Sequence, residues 1–369
     1  MSGKKVVVGI SGGVDSSVAA ARLLEQGYDV TGAYLTCWEE PGCRTDQDRK
    51  DALKVATQLG IPFEVLDFRR EYRERVVDYF YGEYAAGRTP NPDVVCNREV
   101  KFGMFYDWAM AHAFDYVATG HYARIVHSTQ YAVHGETQFL LQRPRDLAKD
   151  QTYFLWEVAP EKLDHVLFPL GDVLKSEVRS RAKELGLPTA EKPDSMGICF
   201  IGEVDVTELL RDKLGEQPGD VVRDGTVIGT HKGLWFHTIG QRGGWDLFPT
   251  MQTVAMPPLY VIEKNVSKNQ LIVGTQEQTR VDSVTVSTPV LYVDRTRFFT
   301  RAAGGQLYLR IRNLGALCKV RSLSENEDGA LSVSLDKPLF GVALGQSAVF
   351  YSREDKEGEE IVAGGGIIR

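Results

Sequence analysis

The run Lys5-Val-Val-Val-Gly-Ile10 passes directly into Ser-Gly-Gly-Val-Asp-Ser-Ser17 and then into a helical pattern. Three adjacent valines with no polar interruption read as a parallel strand covered on both faces. Val18, Ala19, Leu23 and Leu24 fall on one side of a helix predicted over residues 15–25. Two glycines free the backbone of the connecting turn, and three serines line it with hydroxyls. A turn of this kind points backbone N–H groups and the positive end of a helix at one spot, which suits an anion such as phosphate. The pattern lacks the Gly-Lys-Ser/Thr ending of a Walker A loop and is not GxGxxG, so γ-phosphate transfer and dinucleotide binding lose support. Asp15, at the helix start, is the natural partner for a magnesium ion bridging to phosphates. The bland alternative is a plain Gly-rich strand-to-helix turn.

Further apolar strands at 30–35 and 63–66, with a helix at 46–59 between them, extend the opening unit into a βαβαβ alternation. A strand at 116–119, ending at Gly120 and His121, and helices at 102–112 and 175–185 continue it. The expected fold class is therefore α/β, an open parallel sheet running to about residue 202. Beyond it, glycines punctuate short β-branched runs, and alternation dominates from Gln270 onward, as in LYLRIR and SAVFY. This predicts small β-rich domains over 203–278 and 279–369.

At 369 residues and 43% hydrophobic, the chain is too long for one ordinary core and too apolar for disorder. Its N-terminus carries Lys4 and Lys5 and then a short apolar run, too short for a signal-peptide core or a membrane span, which predicts a soluble, cytoplasmic protein with no membrane partner. The net charge of −7 argues against a nucleic-acid partner, but between Leu291 and Arg321 seven basic residues (Arg295, Arg297, Arg301, Arg310, Arg312, Lys319, Arg321) face the single acid Asp294. An acidic protein can still present one basic face.

Five cysteines at wide spacings, with no CxxC, fit neither a disulfide framework nor a usual zinc site. Cys96 lies in Asn91-Pro-Asp-Val-Val-Cys-Asn-Arg-Glu-Val-Lys-Phe102, where Pro90 and Pro92 predict a rigid turn and Asp93 precedes the thiol by three residues. Cys199 lies in Lys192-Pro-Asp-Ser-Met-Gly-Ile-Cys-Phe-Ile-Gly202. Polar, Gly- and Pro-bearing loops suit reactive cysteines. Cys318, in an apolar run, reads as core, and Cys37 and Cys43 as incidental loop residues.

The motif SGGVDSS resembles the pyrophosphate loop of the N-type ATP pyrophosphatases, which split ATP between the α- and β-phosphates and adenylate an oxygen of a second substrate. The further blocks NPDVVCNREVKF (91–102), DYVATGHYAR (115–124), AKDQTYFL (148–155), FPLGD (168–172), DSMGICFIGE (194–203), TIGQR (238–242) and LGQSAVFY (344–351) resemble the bacterial and mitochondrial tRNA-uridine 2-sulfurtransferases, also called tRNA 2-thiouridylases. Their order and number span essentially the whole chain.

The resemblance implies an ATP pyrophosphatase domain (adenine nucleotide alpha hydrolase-like) followed by two small β-rich domains, the last a tRNA-contacting β-barrel. It implies ATP and Mg2+ as cofactors, and tRNA and a persulfide-carrying sulfur donor protein as partners. By position, Gly9, Ile10, Ser11, Gly12, Gly13, Val14, Asp15 and Ser16 match the ATP-binding loop, and Leu35 and Gly120 match residues lining the adenine side. Asn91, Pro92 and Asp93 match the stretch facing the target base. Cys199 matches the persulfide carrier, and Cys96 its nucleophilic partner. His121, Lys149, Asp150, Gln151, Arg312, Asn313 and Gln346 match tRNA-contact positions. The chain departs from the family at Pro193 and Met196, where basic and polar residues are common, and at Asn313, where the family commonly shows Tyr.

The implied activity is thiolation of the wobble uridine in tRNAs for Lys, Glu and Gln. A uracil C2 oxygen is a very poor leaving group, so AMP would be placed on it first. Sulfur then arrives from a Cys199 persulfide, either by direct attack on C2 or as hydrosulfide released by Cys96. Asp93 suits general acid/base work or a turn-forming role equally. Two rivals are a small-molecule adenylating ligase, which needs no paired cysteines, and a non-catalytic RNA-binding protein on a nucleotide fold.

Overall fold

A computed structural model describes residues 3–38, 45–133, 136–194, 205–252, 256–353 and 360–369. Its first layer is an all-parallel sheet built from β1 (Lys5–Gly9), β2 (Asp29–Thr36), β3 (Phe63–Asp67), β4 (Tyr116–Ala118) and β7 (Val166–Leu167), in the order β3-β2-β1-β4-β7. Val6, Val7 and Val8 are wholly buried because both faces are covered. Helix α1 (Val14–Glu25) sends Ala20 and Leu23 into one cluster with Val6, Val8 and Val30, joined by Ala52, Val55 and Ala56 of α2 (Thr45–Leu59). Its other side, Val18 and Ala19, packs against Val178 and Ala182 of the helix Lys175–Glu184. The strand order reverses between β1 and β4, and in open α/β sheets ligands bind beyond the carboxyl ends of strands at that switch point.

The segment expected to be a turn around Pro92 is instead a helix start. Pro92–Cys96 is helical, and the rod continues through Asn97–Met104, with wider π-type turns, into Phe105–Ala111. The reason is local: the Asn91 side chain accepts a hydrogen bond from the Val94 N–H at 3.4 Å, and Pro92 occupies the first helical position, where its fixed φ is an advantage. The helix expected from residue 102 thus begins ten residues earlier, and Cys96 rides on it rather than on a loop.

The strands β8 (Gly219–Arg223), β9 (Thr226–His231), β10 (Asp246–Leu247), β11 (Tyr260–Asn265) and β12 (Gln270–Gly274) make a small separate sheet around Val221, Val261, Leu271 and Val273. The last layer is a closed six-stranded barrel of β13 (Arg280–Leu291), β16 (Leu331–Phe340), β15 (Cys318–Glu325), β14 (Leu307–Arg310), β17 (Ser347–Arg353) and β18 (Glu360–Ile368), closed by β13 pairing with β18. The hairpin β5 (Arg124–Val133) and β6 (Glu136–Gln142), which belongs in sequence to the α/β part, adds to this barrel through Gln142 and Ile361.

A buried ionic staple joins the two parts. Asp150 accepts hydrogen bonds from Arg143 at 2.6 Å and Arg310 at 2.8 Å on one oxygen, and from the backbone and hydroxyl of Thr152 at 3.0 and 2.6 Å on the other. Arg143 also pairs with Glu360 of the barrel. Tyr153 inserts beside it and donates to the carbonyls of Ile311 and Ser347. No helix among the described residues is long and apolar enough to cross a membrane.

Candidate active site

The residues that the sequence matches to the phosphate loop and to the adenine side lie at the carboxyl edge of the parallel sheet. Gly9 ends β1, Leu35 lies near the end of β2, and Gly120 follows β4. The loop holds its own shape through hydroxyls: Ser16 Oγ accepts from the Ser11 N–H at 3.1 Å and donates to the Gly13 carbonyl at 3.1 Å, while Ser17 Oγ donates to that same carbonyl at 2.8 Å. Gly13 caps α1 without any side-chain hydrogen bond to the first-turn N–H groups. Those donors and the helix dipole are the loop's resource for an anion. Gly12 has φ +77°, and a Cβ there would come within 2.3 Å of the Asp48 carbonyl oxygen. Gly120 approaches the helix so closely that a Cβ would lie 2.7 Å from the Ser16 nitrogen. Glycine is required at both places.

Asp15 is not the loop-exposed carboxylate that its position in the motif suggests. It lies in the first turn of α1, accepts a hydrogen bond from Tyr122 Oη at 2.9 Å and takes Lys175 Nζ at 2.6 and 2.8 Å on its two oxygens. A second lysine, Lys192, donates to the Gly12 carbonyl at 2.9 Å and pairs with Asp48 at 2.6 Å and Asp51 at 3.0 Å. Burial alone would depress the Lys192 ammonium, but these carboxylates win and raise it. Asp194 draws Lys149 at 2.8 Å, Lys175 at 2.8 Å and Arg179 at 2.5 Å. Burial would raise its carboxyl, yet the hydrogen bonds from these cations hold it far below the usual carboxylate range.

Lys175, Lys192, Asp194 and Tyr122 escaped the sequence reading. One signal was there for Lys175: a cation in the first turn of a helix opposes the dipole and calls for a compensating partner.

Cys96 is fully buried within the largest apolar cluster. This corrects the expectation of a thiol in a polar loop, and the cause is the helix begun by Asn91-Pro92, whose Val94, Val95 and Val100 carry it inward. Asn91, Pro92 and Asp93 occupy the half-buried N-terminal turn of that helix. Cys37 is buried at the end of β2 and Cys318 is buried in β15. Cys199, Met196 and Cys43 lie outside the described residues; Pro193 is exposed.

The positions matched to tRNA contacts divide by environment. His121 is buried between Phe102 and Phe168, bonded to Thr119 Oγ1 at 2.7 Å, with Lys101 Nζ 3.4 Å from its other nitrogen. Burial first, and the Lys101 charge second, hold its imidazole well below the usual histidine range. Asp150 is wholly buried in the staple described above. Gln151 accepts from the Tyr122 N–H at 2.9 Å, and Gln346 donates to the carbonyls of Thr89 and Pro90 at 2.9 and 3.1 Å, bracing the chain just before Asn91. Lys149 and Arg312 keep exposed surface, and Asn313 is half-buried. Arg310, counted from sequence on the basic face, is only 2% exposed and spent on Asp150. Arg297, Arg312, Lys319 and Arg321 remain exposed.

Three family models match in chain order: one described as tRNA methyl transferase HUP domain over residues 4–203, one as tRNA methyl transferase PRC-barrel domain over 207–275, and one as Aminomethyltransferase beta-barrel domain over 282–368. The tRNA-specific 2-thiouridylase MnmA of Akkermansia muciniphila is 44% identical over 376 aligned residues, covering 98% of both chains. The chain belongs to the tRNA-specific 2-thiouridylase family. The enzyme of the same name from Lactobacillus delbrueckii subsp. bulgaricus is 42% identical, covering 98% of this chain and 95% of its own. The solved U34-tRNA thiolase NcsA of Methanococcus maripaludis superposes with a TM-score of 0.35 at 20% identity, covering 57% of this chain and 66% of that one, a likeness too slight to bear on function.

Proposed function

We propose that this chain is a tRNA-uridine 2-sulfurtransferase, which adenylates O2 of the wobble uridine with ATP and replaces that oxygen by sulfur. The observation that carries the reading is the full-length identity to tRNA-specific 2-thiouridylases together with a phosphate loop at the sheet's switch point. Methyl transfer, named in the descriptions of two family models, needs neither a phosphate cradle nor a pyrophosphate leaving group.

In this reading the α1 N–H groups, the Ser11 and Ser16 hydroxyls and the nearby Lys175 and Lys192 meet the phosphates of ATP, while Leu35 and Gly120 border the adenine. The hard oxygens of Asp15 would hold a magnesium ion once Lys175 moves off them, and such an ion would offset charge on the departing pyrophosphate. Uracil O2 attacks the α-phosphorus and pyrophosphate leaves. Sulfur enters at C2 and AMP departs with the original oxygen. The persulfide on Cys199, loaded by a donor protein, supplies sulfur at the oxidation level of S0. Cys96 and Cys199 together give up two electrons and end as a disulfide, so the atoms and electrons balance. Asn91, Pro92 and Asp93 face the base, and Lys149, Gln151, Arg312, Asn313 and Gln346 border the RNA. Asp150 and His121, both buried, act by holding their neighbours. A tRNA-modifying enzyme of this kind works in the cytoplasm.

Nucleoside mass analysis of unmodified tRNA incubated with the protein, ATP, magnesium and a sulfide source tests this directly. The expected product is 2-thiouridine, dependent on ATP. Unmodified uridine despite ATP consumption would overturn the reading.

A further inference from the structure

Three cations from two stretches of chain, Lys149 on one and Lys175 and Arg179 one turn apart on the helix Lys175–Glu184, converge on one carboxylate beside the phosphate loop. Lys149 reaches Asp194 Oδ2 at 2.8 Å; Lys175 and Arg179 reach Oδ1 at 2.8 and 2.5 Å. Lys175 is shared, because its ammonium also spans both oxygens of Asp15. The side chains of Asp194, Asp15 and Lys175 are 35%, 32% and 13% exposed, sheltered enough for their fields to be felt and open enough for a ligand to compete. A second route runs in parallel: Gln151, two residues after Lys149, holds the Tyr122 N–H, and Tyr122 Oη donates to Asp15.

We propose that Asp194 is a positioning residue that couples RNA occupancy to nucleotide occupancy, by tying Lys149 of the RNA-bordering stretch to Lys175 and, through it, to Asp15 of the phosphate loop. The inference rests on the functional reading above. An RNA phosphate that takes Lys149 leaves Asp194 one cation short. Asp194 then draws Lys175 more strongly, and Lys175 loosens from Asp15. The freed Asp15 carboxylate is available to the divalent cation that accompanies ATP. RNA binding therefore tightens ATP binding, and by thermodynamic reciprocity ATP tightens RNA binding by the same factor. Both sites bias one shared ammonium, which is a physical connection rather than mere proximity.

The test is a pair of equilibrium titrations of the full chain with magnesium and α,β-methylene ATP, which resists α–β cleavage, with and without saturating unmodified tRNA transcript. The wild type should bind the nucleotide about fivefold or more tightly when tRNA is present. Asp194→Asn should bring that ratio to within about twofold of unity, and so should Lys149→Gln, whose side chain is partly exposed and whose loss leaves the core intact. If Asp194→Asn proves unfolded by circular dichroism, Lys149→Gln decides alone. An Asp194→Asn protein that keeps the wild-type ratio overturns the coupling. A wild type that binds both partners with a ratio of one also overturns it and spares the functional reading; a wild type that binds neither overturns both.

Discussion

Arg310 of the barrel strand β14 donates to Asp150 of the α/β part across 2.8 Å, with side chains 2% and 0% exposed. The pair converts a residue that reads as part of a basic RNA face into a joint between two layers. Asp150 stays ionised there: burial would raise its carboxyl, but Thr152, Arg310 and Arg143 together lower it. Losing Arg310 would leave that carboxylate with Arg143 and Thr152, so the cost falls at the low end of the about 3–5 kcal/mol of a broken buried pair.

Arg310→Ala should therefore lower the urea midpoint by the equivalent of about 3 kcal/mol, whereas Arg312→Ala at the exposed neighbour should cost under about 1 kcal/mol. The two should differ in the opposite sense in RNA binding. Neutralising Arg312, Lys319 and Arg321 together should flatten the dependence of log K on log salt by about 2, each phosphate contact contributing roughly 0.7–0.9. An unchanged slope would make that face an ordinary solvated surface.

Acid sensitivity should have a share from the small middle domain, beside that of the buried His121 in the α/β part. His237 is buried, its imidazole pushed down to about 4 by burial first and then by the neighbouring His231 and Lys264. The unfolded imidazole takes up its proton near 6.5, so between there and about 4 the unfolded state binds more protons. Stability is thus full above about 6.5 and falls as the pH drops through that window, by on the order of 3 kcal/mol. His237→Gln should make the unfolding free energy fall less steeply over that range, with His121 keeping its own share; a wild-type slope in the variant contradicts this assignment.

Asp15→Ala should stop ATP-dependent pyrophosphate release by at least about 100-fold, as expected when a group at the site of developing charge is removed. It should also cost about 1 kcal/mol of stability, because Tyr122 Oη loses its acceptor and Lys175 keeps only Asp194. Orthophosphate as the primary product in the wild type would contradict α–β cleavage.

Cys96, fully buried, should react slowly with a small maleimide in the tRNA-free protein and faster in the presence of tRNA and ATP. After a single turnover without reductant, peptide mapping should show a Cys96–Cys199 cross-link accumulating with product. Full product formation by Cys96→Ser would show direct attack by the persulfide and demote Cys96 to a packing residue.

The parallel sheet was legible because its information is local. Three valines, a Gly-rich turn and a helix of period 3.6 fix a βα unit without reference to distant chain, and α1 begins one residue from the expected place. What escaped is non-local or depends on capping. Nothing in residues 124–142 says that the hairpin will pair with β18 more than two hundred residues later. In LYLRIR, alternation puts Arg310 opposite the face of Leu307 and Leu309, which normally means solvent; only the stretch around Asp150 to Tyr153, packed over that face, buries it. Pro92 between Pro90 and Asp93 has the composition of a turn, but Asn91 before it caps a helix and makes it the first helical residue. The loop residues of the nucleotide site were visible as a motif, whereas Lys175 and Asp194 come from elsewhere in the chain and meet Asp15 only in space.

The fate of the uridine oxygen tests the proposed chemistry most directly. A tRNA transcript carrying 18O at O2 of the wobble uridine, thiolated with ATP in a single turnover, should yield AMP bearing one 18O for each 2-thiouridine formed. Recovery of the label in water or pyrophosphate, with none in AMP, would contradict adenylation at O2.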